Sequence, residues 1–196
     1  MNLALAGINP PLRISLDELM SVEEFWRFSA ENPELRLERS ANGEIIVMTP
    51  TQRGTGFRGA QIIAALHIWA EKDGHGYEFD SSTGFTLPDG SVLSPDAAWI
   101  HRSKWNPEME DEYRKPLAPD FVIELRSKTD NLPKLQEKMR VWMANGVQLA
   151  WLIDPIRKTV EISRPGQQSE IQEGHTSVYG ERPVAGFVLE LGRIWG

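Results

Sequence analysis

Two proline-aspartate pairs set most of the constraint on how this chain can fold. Pro95-Asp96 leads into Ala97-Ala98-Trp99-Ile100, and Pro119-Asp120 leads into Phe121-Val122-Ile123-Glu124-Leu125. Proline has no N–H to give to a sheet ladder and is tolerated where a strand begins, so both apolar runs are predicted to be buried strands rather than helix interiors. The second run carries Glu124 in its middle. A carboxylate inside an otherwise apolar strand is costly unless it is paired or coordinates a metal. A polar turn, Arg126 to Asn131, precedes an expected helix from about Leu132 to Asn145 that ends at Asn145-Gly146, and a third apolar run, Leu149 to Ile153, stops at Asp154-Pro155. Strand, helix, strand is a βαβ-type unit, which predicts an α/β fold.

The flanking sequence adds shorter elements. Ser15 to Ala30 reads as helix, with two candidate capping pairs, Ser15 with Glu18 and Ser21 with Glu24. Leu35 to Glu38 and Ile45 to Met48 flank Asn42-Gly43, a tight reversal, and predict a hairpin whose alternation sets Leu35 and Leu37 against a polar face of Arg36 and Glu38. Gly59 to Lys72 is predicted as a long helix with Ile62, Ile63, Leu66 and Trp69 on one stripe. Residues 101–116 are expected to be a loop with a partial helix, and Thr159 to Ser163 a hairpin strand. Residues 1–14, with Pro10-Pro11, are expected to form a leader and residues 15–196 a single domain.

Composition narrows function mainly by exclusion. A chain without cysteine has no disulfide, no thiolate nucleophile and no cysteine-ligated metal centre. No signal sequence or membrane span is expected, and a reducing cytoplasm is the expected location. The net charge of −7 argues against gripping nucleic acid over the whole surface, because phosphate binding rests on Lys and Arg displacing counterions. It suits carboxylates gathered around a divalent cation.

Several motifs compete for the site. Gly54, Gly56 and Gly59 form a Gly-x-Gly-x-x-Gly, with Glu78 and Asp80 about 20 residues on, as a dinucleotide fingerprint requires. Against it, Thr49 to Arg53 separates the strand from the first glycine, and that strand is half of a hairpin. His67, His75, His101 and His175 lack metal-ligand spacing, and His67 is expected to pack within its helix. Trp99, Trp142 and Trp151 lie in apolar runs and read as core. The carboxylates are the remaining lead: Glu38, Asp96 and Glu124, if brought together, would repel one another unless a hard cation neutralised them. The alternative is that Asp96 caps a turn and Glu124 pairs with Arg126 or Lys138.

Ser94-Pro95-Asp96-Ala97-Ala98-Trp99, Pro119 to Ser127, Leu135 to Met139, Asn145-Gly146-Val147 and Trp151 to Pro155 together resemble the Uma2 family, formerly DUF820, of the PD-(D/E)-x-K nuclease superfamily. The likeness extends from about Ser15 to the C-terminus and takes in Glu38, Gly43-Glu44 and the segment Ser82 to Pro88. It implies a restriction-endonuclease-like three-layer α/β/α fold with a central mixed sheet. It also implies a Mg²⁺- or Mn²⁺-dependent site cutting phosphodiester bonds of nucleic acid, DNA ahead of RNA. Asp96, Glu124 and Glu38 would be its metal acids, and a homodimer is implied. The pattern's lysine falls where this chain has Arg126, whose guanidinium will not deprotonate. Lys138, on the following helix, is the first candidate to replace it, Arg126 the second, while Lys128 falls in a turn leaving the sheet. A nuclease fold that has lost its chemistry and only binds nucleic acid or a partner is the alternative.

Overall fold

The computed structural model describes residues 12–14 and 19–196. In chain order the elements are β1 (Leu12–Ile14), α1 (Val22–Glu31), β2 (Arg36–Arg39), β3 (Ile45–Met48), α2 (Arg53–Asp73), β4 (Gly76–Asp80), β5 (Phe85–Thr86), β6 (Val92–Leu93) and β7 (Ala97–His101). A 3₁₀ turn (Pro107–Glu112) follows, then β8 (Phe121–Leu125), α3 (Leu132–Ala144), β9 (Leu149–Asp154), β10 (Thr159–Ser163), β11 (Glu170–Glu173), β12 (Ser177–Tyr179), β13 (Val188–Glu190) and α4 (Gly192–Trp195).

Six strands form the central sheet in the order β11-β10-β9-β8-β7-β4. Only β8 and β9 run parallel, because α3 carries the chain back between them, so the sheet is mixed. Its two faces are both buried. Ala97, Trp99, Phe121, Ile123, Trp151 and Ile153 pack with Ile62, Leu66 and Ala70 of α2 and with the C-terminal segment. The intervening residues Ala98, Val122, Ala150 and Leu152 pack with Met139 and Trp142 of α3 and with Phe85 and Leu93 of the smaller sheet. Period-two alternation thus sends consecutive side chains into different cores, which is why these strands read as continuous apolar runs. The result is the three-layer α/β/α arrangement. A second sheet, β1-β3-β2-β6-β5, sits beside α3, and β12-β13 forms a hairpin.

The structure departs from the sequence reading in places that have local causes. Helix α1 starts from the second capping pair, with Glu24 N–H donating to Ser21 Oγ and Glu24 returning a carboxylate to Ser21 N–H; the Ser15-Glu18 pair lies outside the described residues. Helix α2 begins six residues earlier than expected, at Arg53, so Gly54, Gly56 and Gly59 are all helical. Strand β3, which precedes them, is antiparallel to both its neighbours. No phosphate-binding turn exists there, and the dinucleotide reading falls. On the hairpin's polar face Arg36 is exposed whereas Glu38 is buried, and so is Arg39 on the other face.

Candidate active site

The two Pro-Asp pairs do the same backbone work. Strands β7 and β8 are antiparallel, with Ala97 opposite Ile123 and Trp99 opposite Phe121, so the aspartate before each strand lies beside the last residues of the other. Asp96 Oδ2 accepts from Leu125 N–H at 2.7 Å, and Asp120 Oδ2 accepts from His101 N–H at 2.9 Å. Their surroundings differ. Asp120 is 1% exposed and is held by Lys104 at 3.0 Å and by Gln148, a satisfied structural acid. Asp96 stands at the opposite end of the strand pair, beside Glu124.

Glu124 projects from β8 toward α3. One turn of α3 supplies both its partners: Lys138 Nζ lies 2.9 Å from Glu124 Oε1, and Trp142, four residues on and on the same helix face, donates its indole N–H to that oxygen at 2.8 Å. The same ammonium lies 2.8 Å from Glu38 Oε1 and donates to the Ser94 carbonyl at 2.8 Å. Ser94 N–H in turn donates to Glu38 Oε1 at 3.0 Å. Three elements of distant sequence (β2, the β6-β7 connection and α3) are therefore stitched together around one ammonium.

Three carboxylates against one ammonium leave a buried excess of negative charge. Burial raises Glu124 most, and Asp96 and Glu38 add to that; Lys138 and Trp142 oppose it, and the carboxyl stands at about 7. Asp96 is raised too, by burial first, with Asp130 and Glu38 adding repulsion against the Leu125 N–H and Lys138. Burial works against the charge of Lys138, yet Glu124 and Glu38 outweigh it and hold the ammonium above the ordinary lysine range. Lys138 is thus held as a cation and hydrogen-bond donor between the two acids.

Arg126, the second candidate for the lysine, is engaged elsewhere. Strand β8 ends at Leu125, and Arg126 Nη1 pairs with Asp154 Oδ2 at 2.7 Å, at the end of β9. Lys128 is exposed in the turn that follows. Glu38, Asp96, Glu124 and Lys138 are brought to one place; Arg126 is tied to a different acid. Sequence reasoning missed Ser94, whose backbone bridges Glu38 to Lys138, and Trp142, read as core packing alone. The i, i+4 spacing of Lys138 and Trp142 was the available signal. His67, expected to be packing, is exposed and bonded to Glu78 at 2.6 Å, a contact that raises its pKa.

Among the described residues, no three Asp, Glu or His side chains stand ready as a cage for a metal ion. The donor set nevertheless suits a hard cation: oxygen only, in excess over the local positive charge, with two acids raised by burial and mutual repulsion.

The Uma2 family model, described as "Putative restriction endonuclease", matches residues 22–192. This chain belongs to the Uma2 family. No curated protein matches it. Among solved structures, the chain is similar to a "putative nuclease belonging to DUF820" from Anabaena variabilis ATCC 29413, with a TM-score of 0.75 and 21% identity. The match covers 89% of this chain and 97% of that one, and at this identity it bears on the fold. The Uma2 match spans every residue gathered at the site, from Glu38 to Trp142.

Proposed function

We propose that this Uma2 protein is a divalent-cation-dependent endonuclease that hydrolyses phosphodiester bonds, with DNA as the substrate. The observation that carries the proposal is the buried cluster in which Lys138 sits between Glu38 and Glu124 with Asp96 alongside. The family's description as a restriction endonuclease supports nuclease chemistry and favours DNA over RNA.

Asp96 and Glu124, with Glu38 beside them, would hold Mg²⁺ or Mn²⁺. Such an ion polarises a phosphoryl oxygen and makes water nucleophilic near neutral pH. The chain's own residues account for the rest. Leu125 N–H fixes Asp96 through Oδ2, and Trp142 fixes Glu124 through Oε1, so each acid is oriented by one oxygen and offers the other. Lys138, held as an ammonium, would orient water and stabilise the charge that builds on the phosphate oxygens; the water oxygen bonds to phosphorus and gives its proton to solvent, and the ester oxygen leaves and takes a proton from solvent. Exposed Lys128 and Lys134, flanking the start of α3, are available to the nucleic-acid backbone despite the net charge of −7.

The test is cleavage of supercoiled plasmid with Mg²⁺ or Mn²⁺. Asp96→Asn and Glu124→Gln are expected to lower cutting by about 100-fold or more, the scale typical of a lost transition-state contact, and to lose Mn²⁺ binding in a calorimetric titration. A second reading rests on the ammonium already neutralising two of the acids: a nuclease fold that binds nucleic acid without cutting it. Nucleic-acid binding unchanged by chelator, together with no cleavage under any metal, would establish that reading and end the first.

A further inference from the structure

On the face of the central sheet that carries Glu124, a row of side chains crosses four strands. Glu124 of β8 is in register with Leu152 of β9, Leu152 with Glu161 of β10, and Glu161 with Ile171 of β11. Residues in register share a face, so Glu161 stands roughly 10 Å from Glu124, two interstrand spacings of about 4.8 Å. Helix α3 lies over the row between the two acids. Lys138 reaches down one flank to Glu124. Gln136, two residues and about 200° away around the helix, reaches down the other, its amide N–H donating to Glu161 Oε2 at 2.8 Å. Along that second flank runs a groove of about 490 Å³, within the range of small-ligand sites, about 300–1,000 Å³. Leu132 and Ile171 give it apolar sides, Glu161 and Glu173 make it acidic, and exposed Arg157 stands at its rim. Ile171 is 64% exposed there.

We infer that this groove receives an unpaired guanine of the nucleic-acid strand, with Gln136 and Glu161 reading its pairing edge. The inference rests on the nuclease reading for nucleic acid as the ligand, and adds which base is read and in what state. Apolar sides suit the flat faces of a base, while the carboxylates disfavour a phosphate and accept from N–H groups. Side by side, Gln136 and Glu161 offer a donor, the second amide N–H, followed by two acceptors, the carboxylate oxygens. Guanine is the complement of that order: O6 accepts, then N1–H and the exocyclic amino group donate. Adenine and cytosine satisfy two of the three positions, and thymine sets its O2 against a carboxylate oxygen. The edge is free only in an unpaired base, so the groove selects single-stranded or extruded nucleotides. A strand passing from Glu124 to the groove would round the start of α3, where Lys128 and Lys134 are exposed.

The test is fluorescence anisotropy on a labelled short oligothymidine and on the same strand with one central guanine. Ca²⁺, an oxygen-seeking ion, is present to offset the charge of the acid cluster. The guanine is expected to tighten binding by about tenfold, the scale of one well-made base contact. Deoxyinosine in its place lacks the exocyclic amino group and is expected to lose most of that gain. Glu161→Gln turns an acceptor into a donor and is expected to bind the two original strands equally. Equal affinity of the unmodified protein for both strands would overturn the inference, and with the strands still bound it leaves the nuclease proposal standing. So would a guanine preference that survives in Glu161→Gln, or deoxyinosine bound as tightly as guanine, a comparison that leaves the protein unaltered. If neither strand binds, the inference falls together with nucleic acid as the substrate.

Discussion

Asp96 and Asp120 share a dipeptide, a place just ahead of a strand and a hydrogen bond to the partner strand, yet they do different things. What separates them is the company each keeps at its end of the antiparallel pair: a lysine and a glutamine for Asp120, two more acids and a shared ammonium for Asp96. That excess charge has a thermodynamic signature. Glu124 stands at about 7 against an ordinary value of 4.5, so between those values the folded state holds more protons than the unfolded one. The stability it supports is therefore greatest below pH 4.5 and falls as pH rises to about 7, by roughly 3 kcal/mol for a shift of this size. Asp96 acts in the same direction. The melting temperature without divalent ions is expected to decline across that window, and Glu124→Gln to flatten the decline. Added Mn²⁺ should restore stability near pH 7 with release of protons, measurable by calorimetry in buffers of different ionisation enthalpy. A melting temperature that rises from pH 4.5 to 7 in the ion-free protein would contradict this account.

At the scale of elements, the site is held by parts that each have a separate local reason to form. Helix α3 starts where Asn131 Oδ1 accepts from Lys134 N–H, carries a proline in its first turn and ends at Asn145, whose side chain bonds Asp89 in the β5-β6 turn. That end-to-end anchoring fixes the height at which Lys138 and Trp142 meet Glu124. On the far face, α2 turns into β4 through Gly74, at φ +65°, where a left-handed residue is required. Two residues on, Gly76 has no room for a side chain. A Cβ there would run into the Ile100 carbonyl and the Trp99 ring. Gly76→Ala is expected to cost about 1–3 kcal/mol by overpacking, read as a lower urea midpoint; an unchanged midpoint would show that β4 can shift away from β7.

Over the whole molecule, the last twenty residues are part of the core rather than an appendage. Phe187 is fully buried and meets Phe121, Trp69 and Trp151, while Val178, Leu189, Leu191 and Ile194 fill the same layer beneath α2. Phe187→Ala is expected to destabilise by about 3–5 kcal/mol, the usual cost of deleting a buried aromatic ring, with one cooperative transition retained in urea. A loss below about 1 kcal/mol would mean that this layer collapses around the gap. The βαβ unit was legible in the chain because apolar runs buried on both faces, proline-led strand starts and an Asn-Gly helix end are local signals. Glu124 was legible as a charge where a charge is expensive. The glycines of α2 obscured only the helix start, because a glycine motif looks alike whether it turns or coils; the predicted hairpin already argued against a phosphate turn there, and the antiparallel setting of β3 bears that out. Glu38 was legible as an acid on the polar face of its hairpin, but alternation reports which face a side chain takes and not what lies over that face. The sequence by itself determined the strands, the helix between them and the acids they carry. Tertiary structure decided which acids share the Lys138 ammonium, since the distance between β2, Ser94 and α3 is set by packing of the two sheets against one helix, a long-range contact that leaves no periodic trace in the chain.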